Sequence, residues 1–208
     1  MKISFSLWGQ TEPVLVRGAF ENLRFAKLFF PGWKCVLYVE AGHPGIPAFR
    51  DAGFQIVEKP FKGGHEGLFW RYEAGADDVA IFRDLDKRIN ARDAAAVKEW
   101  LRSGLPFHVM RDVPHGNQCV PGGLWGCRPL ETLPEFINHW PTKGAPGDDQ
   151  VFLRHQLWPI MKKRGVLVHS VHPTHPPEWG EHDVWKFPKH PPLDPQVFGP
   201  YMGGCPHD

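Results

Sequence analysis

The sequence has few cysteines, no long apolar run and almost no net charge. Its four cysteines form no Cys-x-x-Cys pair, so a disulfide-stapled domain is not predicted. Basic and acidic residues nearly balance, with a formal net charge of +1, which excludes a general basic surface for nucleic acid. No stretch is long and apolar enough to span a bilayer, and the apolar start is too short for a signal peptide. We therefore expect a cytoplasmic protein with no nucleic-acid partner and no membrane span.

The length and the distribution of proline indicate one domain with an appended segment. A chain of 208 residues can bury one full hydrophobic core and is short for two. Many of its 22 prolines crowd toward the C-terminus, where a fixed φ and a missing N–H make regular structure scarce. We predict a domain over residues 1–175 and an extended, Pro-rich C-terminal segment over residues 176–208 that wraps it. The predicted anchors of this segment are aromatic: Trp179, Trp185, Phe187 and Phe198.

Strand and helix patterns alternate along most of the chain. Strands are predicted at short apolar or alternating runs, and helices where apolar residues recur at steps of three and four. The predicted strands are Ile3–Leu7, Cys35–Val39, Gln55–Val57, Val79–Phe82, Phe107–Met110 and Val166–His169. The predicted helices are Pro13–Phe30, His65–Ala74, Ala91–Arg102 with Asn90 as its cap, Leu133–Trp140 and Gly147–Trp158. This alternation indicates an α/β domain with a largely parallel sheet.

An acidic pair, Asp84 and Asp86, lies where a buried strand is predicted to end. Ligands of parallel sheets bind outside the carboxyl ends of the strands, so this position suits a functional site. The flanking Arg83, Lys87 and Arg88 can face phosphate oxygens while the two acids face a divalent cation. The alternative is an acidic surface cluster paired with these basic neighbours.

Four blocks of the sequence, in this order, resemble the GT-A glycosyltransferases, in particular the glycogenin-like group and its small bacterial and viral relatives. The blocks are Ile3–Gly9, Trp70-Arg71 ahead of Ile81–Asp86, Pro121–Gly126 and Gly147–Gln150. In the family they are the nucleotide-binding strand, a basic helix residue before the Asp-x-Asp motif, a sugar-binding strand of small residues, and Asp-Gln opening a helix. The third block is Pro-Gly-Gly here, where the family usually has Asn-Ser-Gly or Asn-Ala-Gly.

This resemblance covers most of residues 1–175 and implies both a fold and an activity. The implied fold is α/β and Rossmann-like, with a mixed, mostly parallel GT-A sheet flanked by helices. The implied activity is transfer of a sugar from a nucleotide-diphosphate-sugar donor to a carbohydrate or other hydroxyl acceptor.

The resemblance also implies a cation site for Mn²⁺ or Mg²⁺. Asp86 would bind the cation directly, and Asp84 would contact the donor ribose or the cation. The cation would offset the negative charge that develops on the diphosphate leaving group. A third ligand would come from His169, with His172 as the alternative. A closed zinc site formed by these two histidines and His175 is a further alternative, although their spacing outside a helix does not fix three imidazoles on one ion.

The remaining candidates serve the donor, the acceptor and the chemistry. By resemblance, Asp149 is the general base or a carboxylate facing the transferred sugar, while Asp112 follows a predicted strand and competes for the base role. Trp125 would stack on a pyranose and Asp148 would lie by the acceptor, unless they are a core tryptophan and a helix-capping aspartate. Arg71 would reach the phosphates or hold the first aspartate of the motif, unless it is a solvated helix arginine. The other donor-binding candidates are Ser6, Leu7, Trp8, Gly9, Leu85, Gly122, Gly123 and Gln150.

Two other function classes fit parts of the sequence. A metal-dependent phosphohydrolase or nucleotidyltransferase also places acidic pairs at strand ends, and cleavage of a nucleotide-sugar without an acceptor would favour it. A noncatalytic carbohydrate-binding protein would explain the nine tryptophans and would bind sugar independently of metal. The ordered charged blocks favour the transferase. The sequence leaves the nucleotide base, the sugar, the acceptor and the anomeric outcome open.

Overall fold

The computed structural model describes residues 1–9, 13–112, 118–141, 144–172 and 174–189. The strands within these ranges are β1 (Lys2–Leu7), β2 (Lys34–Glu40), β3 (Gln55–Lys59), β4 (Ala80–Phe82), β5 (Phe107–Arg111), β6 (Trp125–Cys127) and β7 (Val166–Ser170). The helices are α1 (Pro13–Phe29), α2 (Ile46–Ala52), α3 (Gly67–Trp70), α4 (Ala91–Ser103), α5 (Leu133–His139), α6 (Asp148–Phe152) and α7 (Trp158–Arg164). A 3₁₀ helix over Arg71–Gly75 continues α3, a π-helical turn over Leu153–Leu157 joins α6 to α7, and a 3₁₀ turn spans Pro177–Trp179.

The strands form one mixed sheet in the order β3-β2-β1-β4-β6-β5-β7. The short strand β6 is antiparallel to both of its neighbours, whereas the other neighbouring pairs are parallel. All strands except β6 therefore end at the same edge of the sheet, where ligands of α/β proteins bind. This topology confirms the mixed, mostly parallel α/β sheet that the resemblance implies.

Two apolar layers cover the two faces of the sheet. On one face, α1, α2 and α4 pack against strand residues such as Phe5 and Leu37. On the other, α3, α5, α6 and α7 pack against strand residues such as Phe82 and Val109. Because side chains alternate along a strand, β2 and β4 supply both layers. Both layers are apolar, so a polar group buried in either of them destabilises the fold unless it is hydrogen-bonded or paired.

Helix boundaries differ from the prediction mainly around Pro159. The helix predicted to end at Trp158 continues as α7 to Arg164. Pro159 lies in the first turn of α7, where the missing N–H would have no helical partner and proline is tolerated. Helix α2 is absent from the prediction because its seven residues are too few to show a helical period. Asn90 caps α4 as predicted, since its side chain accepts from the Asp93 N–H at 2.9 Å.

The segment after β7 runs alongside β7, which is the outermost strand on that side of the sheet. Trp185 donates its backbone N–H to Val168 O at 2.8 Å and accepts from the Ser170 N–H at 2.9 Å. Further back, the buried Trp179 accepts a hydrogen bond from Trp158 Nε1 at its backbone oxygen, at 2.8 Å. We call residues 174–189 the C-terminal strap. The proposed domain boundary at residue 175 stays a prediction.

Three further expectations concern residues near the chain ends, the cysteines and membrane spans. The predicted anchor Phe198 and the end of the loop after β1 lie outside the described residues. Cys35, Cys119 and Cys127 are free and buried. Among the described helices, none combines the length and apolarity that crossing a membrane requires.

Candidate functional site at the carboxyl edge of the sheet

A buried arginine lies at the centre of the polar cluster at this edge. Arg71 is 4 % exposed and forms ion pairs with Asp84 and Asp149, the second at 3.4 Å between Nη2 and Oδ2. Its backbone is fixed to β1, because Ser4 Oγ donates to Arg71 O at 2.7 Å and the Arg71 N–H donates to Ser6 Oγ at 3.0 Å. Burial lowers the pKa of the guanidinium, but the carboxylates outweigh burial and raise this pKa above its usual value. Arg71 is therefore a permanent buried cation and not a solvated helix arginine.

Asp149 is enclosed, and donors reach both of its oxygens. The Tyr72 hydroxyl donates to Oδ2 at 3.0 Å, and the Gln150 N–H donates to Oδ1 at 2.9 Å. Burial raises the pKa of the Asp149 carboxyl, while Arg71 and Tyr72 act in the opposite direction. Burial also raises the pKa of Tyr72 well above its usual value, so the hydroxyl keeps its proton and remains a donor. The sequence prediction missed Tyr72, since it stands in an apolar helical pattern with nothing to mark it.

Gly122 and Gly123 lie directly against the two carboxylates. A Cβ at Gly122 would come within 2.4 Å of Asp149 Oδ2, and a Cβ at Gly123 within 2.1 Å of Asp84 Oδ2. Glycine is required here for space, because any side chain would displace a carboxylate. In the orientation that satisfies its neighbours, the Gln150 amide accepts from the Gly122 N–H at 2.8 Å. The Asp-Gln block and the glycine block thus meet in three dimensions.

The two aspartates after β4 have different surroundings. Asp84 faces Arg71 and its side chain is 34 % exposed, whereas the side chain of Asp86 is 50 % exposed and lies 3.7 Å from the ammonium of Lys87. Leu85 between them is buried in the core on the α1 side. The apolar residue therefore fixes the loop, and the two acids remain at the edge of the sheet.

Helix α1 fixes the loop after β4 by hydrogen bonds to its backbone. The fully buried Asn22 donates to Lys87 O at 2.8 Å and accepts from the Ile89 N–H at 2.9 Å. Gly18 allows the close approach, since a Cβ there would lie 2.0 Å from Leu85 O. Neither residue is among the sequence candidates. An asparagine on the apolar face of an amphipathic helix is the signal that could have revealed it, because buried amides have to be hydrogen-bonded.

The basic residues that flank the acidic pair do not all face it. Arg83 is buried and forms a two-point ion pair with Asp93 of α4, at 2.9 Å and 2.7 Å. Arg88 pairs with Glu21 of α1 at 2.5 Å. Protein carboxylates thus engage both guanidinium groups, and the expectation that Arg83 and Arg88 face phosphate stays a prediction. Lys87 is half exposed at the edge.

Solved structures with the same fold come from glycosyltransferases. A glycosyltransferase involved in the glycosylation of the major capsid of PBCV-1 matches with a TM-score of 0.52 at 15 % identity, over 81 % of this chain and 80 % of that chain. A mannosyltransferase from Pyrobaculum calidifontis, in complex with GDP-Man and Mn²⁺, matches with a TM-score of 0.51 at 16 % identity, over 80 % of this chain and 53 % of that chain. The chain has the GT-A fold.

These proteins share the fold of this chain, but their sequence identity to it is low. This chain spans about half the length of the mannosyltransferase that it matches. No family model matches the sequence, and no curated protein matches it.

The two carboxylates after β4 fit a hard divalent cation. Such ions take oxygen ligands, and Mg²⁺ in particular is often held by one or two carboxylates together with substrate phosphates. Asp84 and Asp86 both keep part of their surface at the edge. Within the described ranges, no group of three or more His, Cys, Asp or Glu side chains could hold a metal ion.

His169 lies away from the acidic pair, and its assignment as a metal ligand is wrong. It is on β7, separated from β4 by β6 and β5. Its Nδ1 is hydrogen-bonded to His108 Nε2 at 2.9 Å and its Nε2 to Glu99 Oε2 at 3.0 Å. Burial lowers the pKa of both imidazoles. The zinc alternative is wrong as well, because His169 is buried, His172 is exposed and His175 stacks on another histidine of the strap.

The two acceptor candidates have structural roles here. Trp125 is fully buried, with its ring centroid 4.2 Å from that of Phe82 and 5.2 Å from that of Tyr72. It is a core residue, so the expected stacking on a sugar is wrong. Asp148 is buried and its Oδ2 accepts from the Ala145 N–H at 2.8 Å. This contact stabilises the turn that begins α6.

The end of β1 carries the other donor candidates. Leu7 is a core side chain on the α1 side. The half-buried Trp8 packs over Gly67, where a Cβ would lie 2.2 Å from the indole ring. The Gly9 N–H donates to Glu40 Oε2 at 2.8 Å. Glu40, at the end of β2, is a further polar group at this edge that the sequence prediction missed.

A pocket opens beside Asp84 on the α4 side of the sheet. Asp112 also lines it and pairs with Arg92 of α4. Further lining comes from Gly123 and from Phe187 of the strap. Asp149 does not line this pocket. The two candidate bases therefore occupy different environments: Asp149 is enclosed, and Asp112 borders open space.

Proposed function

We propose that this chain is a glycosyltransferase that moves a sugar from a nucleotide-diphosphate-sugar donor to a hydroxyl of a carbohydrate or other acceptor. The proposal is carried by one observation: Arg71, Asp84 and Asp149 meet the Gly122-Gly123 turn at the carboxyl edge of a GT-A sheet. The match to a mannosyltransferase in complex with GDP-Man and Mn²⁺ supports a donor of this class and a divalent cation.

Asp84 and Asp86 would hold the cation, Mn²⁺ or Mg²⁺. When bound, it would offset the negative charge of the departing nucleoside diphosphate. Arg71 orients Asp84 through a charge-assisted contact. Lys87 is free to reach a phosphate oxygen, since it is half exposed beside Asp86.

The rest of the donor would lie along the same edge. Trp8 and Gly9, at the end of β1, would contact the nucleoside. The bare backbone of Gly122 and Gly123 would allow the sugar to approach Asp84 and Asp149 closely. Ser6 would act indirectly, because its hydroxyl accepts from the Arg71 N–H.

The two candidate bases suit different tasks. A general base has to reach the acceptor hydroxyl, and Asp112 lines the open pocket next to Asp84. Asp149 is 2 % exposed and its oxygens already accept hydrogen bonds. A fixed carboxylate of this kind suits stabilisation of the positive charge that develops on the transferred sugar. We therefore assign Asp149 to the sugar and Asp112 to the acceptor.

A donor screen by thermal shift tests the class of substrate. Nucleotide-sugars, including GDP-mannose and UDP-glucose, are added with Mn²⁺ or with EDTA. A bound donor raises Tm according to its occupancy, so we expect a shift for one donor with Mn²⁺ that EDTA abolishes. Donor cleavage unaffected by any acceptor would favour the phosphohydrolase. Sugar binding that is insensitive to metal would favour the carbohydrate-binding protein.

Substitution of Asp86 tests the cation site. Asp86→Ala should abolish transfer and the Mn²⁺-dependent donor shift, because the side chain would serve the cation. Stability should stay within about 0.5 kcal/mol of wild type, as for most exposed positions. Asp51→Ala, at an exposed position on α2, is the matched control and should change neither. Undiminished transfer by Asp86→Ala would remove the central claim.

A further inference from the structure

Phe187 is held at a defined place beside the pocket by the strap. The residue two positions earlier, Trp185, is hydrogen-bonded to β7 through both its backbone N–H and its backbone oxygen, at 2.8 Å and 2.9 Å. These bonds fix the register of the strap along the sheet. The Phe187 ring then stacks on His169, with ring centroids 5.5 Å apart and planes at 29°. The strap thus delivers one aromatic ring to the pocket wall.

The support beneath this ring is rigid. His169 is fully buried and hydrogen-bonded to His108 and Glu99 at its two ring nitrogens. His108 in turn stacks on Trp100 of α4, with centroids 5.4 Å apart and planes at 13°. Every member of this column is fixed by a neighbour on a different element. Phe187 therefore rests on a surface that cannot easily shift.

Phe187 contacts the arginine that orients Asp112. The Arg92 guanidinium lies over the Phe187 ring at 4.9 Å from its centroid and pairs with the Asp112 carboxylate. A guanidinium can stack on an aromatic ring while its N–H groups bind a carboxylate. The strap thus reaches Asp112 through one intermediate side chain.

The chemistry of the pocket suits a sugar hydroxyl. Asp112 and Asp84 line the same space, so a molecule bound at Asp112 lies next to the proposed donor site. Charged groups alternate there with the apolar side chains of Met110, Leu124 and Phe187. Pyranoses present apolar C–H faces and rows of hydroxyls, which such a wall can match.

We infer that Asp112 binds a hydroxyl of a carbohydrate acceptor and that Phe187 is the positioning residue that, through Arg92, sets the place of Asp112. This inference rests on the proposed glycosyltransferase function. The acceptor site is then completed by the C-terminal strap and not by the α/β sheet alone. Removing the Phe187 ring should impair use of the acceptor and leave donor binding intact.

The test compares Phe187→Ala, Phe187→Tyr and Trp185→Ala with wild type. Trp185 is 48 % exposed and binds β7 through its backbone, so its alanine variant controls for general disturbance of the strap. Three readouts are taken: Tm alone, the Tm shift caused by donor with Mn²⁺, and kcat and KM for methyl glycosides of glucose, galactose and mannose as acceptors. We expect Phe187→Ala to lower acceptor kcat/KM by about tenfold or more with an unchanged donor shift. Phe187→Tyr should restore most of it, and Trp185→Ala should resemble wild type.

Each of three other outcomes would overturn a different part of the proposal. Acceptor kcat/KM within about twofold of wild type in Phe187→Ala, or a parallel loss of the donor shift, would overturn the positioning role. A donor shift with donor hydrolysis but no transfer to any glycoside would overturn the carbohydrate acceptor while leaving the donor proposal standing. If wild type shows no donor shift at all, the proposed function fails, and this inference fails with it.

Discussion

Two of the buried polar clusters in the described part of this protein lie on opposite faces of one sheet and differ in charge. On the α3 side, the Arg71 cation is held between Asp84 and Asp149. On the α4 side, His108 and His169 are hydrogen-bonded to each other, and burial lowers the pKa of both imidazoles so that they stay neutral. Charged groups in an interior destabilise the fold unless they are paired, whereas neutral ones need only hydrogen bonds. The charged cluster opens at the ligand edge, and the neutral one supports the strap.

Removing the central cation should have the largest effect. Arg71→Leu would leave the enclosed Asp149 without its positive partner, and breaking a buried pair in this way costs about 3–5 kcal/mol. Urea denaturation at pH 7 measures the loss. The double variant Arg71→Leu/Asp149→Asn should recover part of it, since it also removes the unpaired charge. A loss below about 1 kcal/mol would show that solvent screens the cluster, contrary to its burial.

Removing one negative charge should affect the rate more than the stability. Asp149→Asn keeps the size and most hydrogen bonding but loses the charge proposed to face the sugar. Electrostatic contacts of this kind contribute about 100- to 1,000-fold, so kcat should fall within that range with donor Kd little changed. Asp148→Asn is the matched control at the neighbouring position and should leave kcat near wild type. If kcat is unchanged in Asp149→Asn, the residue is structural and Asp112 alone inherits the catalytic assignment.

The neutral histidine cluster should make the stability of the protein depend on pH, with a smaller effect than the two substitutions above. Folded-state pKa values of His108 and His169 are lowered and that of His182 is lowered to about 4, whereas an unfolded histidine has a pKa of about 6.5. The contribution of these histidines to stability is therefore fully present above the unfolded pKa. It falls as the pH drops below that pKa, because the unfolded chain then takes up protons that the folded chain does not. Each such proton changes the free energy of unfolding by at most about 1.4 kcal/mol per pH unit.

The measurement is Tm between pH 7 and pH 5 for wild type and His108→Phe. The variant keeps an aromatic ring to stack on Trp100 and removes one titrating group, so its Tm should depend less on pH. Asp149 works in the opposite direction, because a carboxyl with a raised folded-state pKa adds stability as pH falls. Its window extends upward from its ordinary pKa of about 4, and because both proteins contain Asp149, its contribution cancels in the comparison. An equal slope in both proteins would show that His108 does not titrate differently on unfolding.

Local pattern was enough to predict most elements and the place of the acidic pair. The run Val79–Phe82 indicates a buried strand, and the two aspartates follow it directly, so their position at a carboxyl edge follows from the chain itself. Partners could not be predicted in the same way. Arg83 is next to Asp84 in sequence, yet it pairs with Asp93 of α4, while the distant Arg71 reaches Asp84. Neighbours along a strand point to opposite faces, and only packing decides what each face meets.

By itself, the sequence determined the order of the elements and their apolar faces, because these depend on short-range periodicity. The tertiary structure alone decided that β6 lies between β4 and β5, which moves His169 away from the aspartates and places Trp125 in the core. It also decided that the strap carries Phe187 to the pocket. Strand order and the course of an irregular segment arise from contacts between residues far apart in sequence, and no local pattern records them.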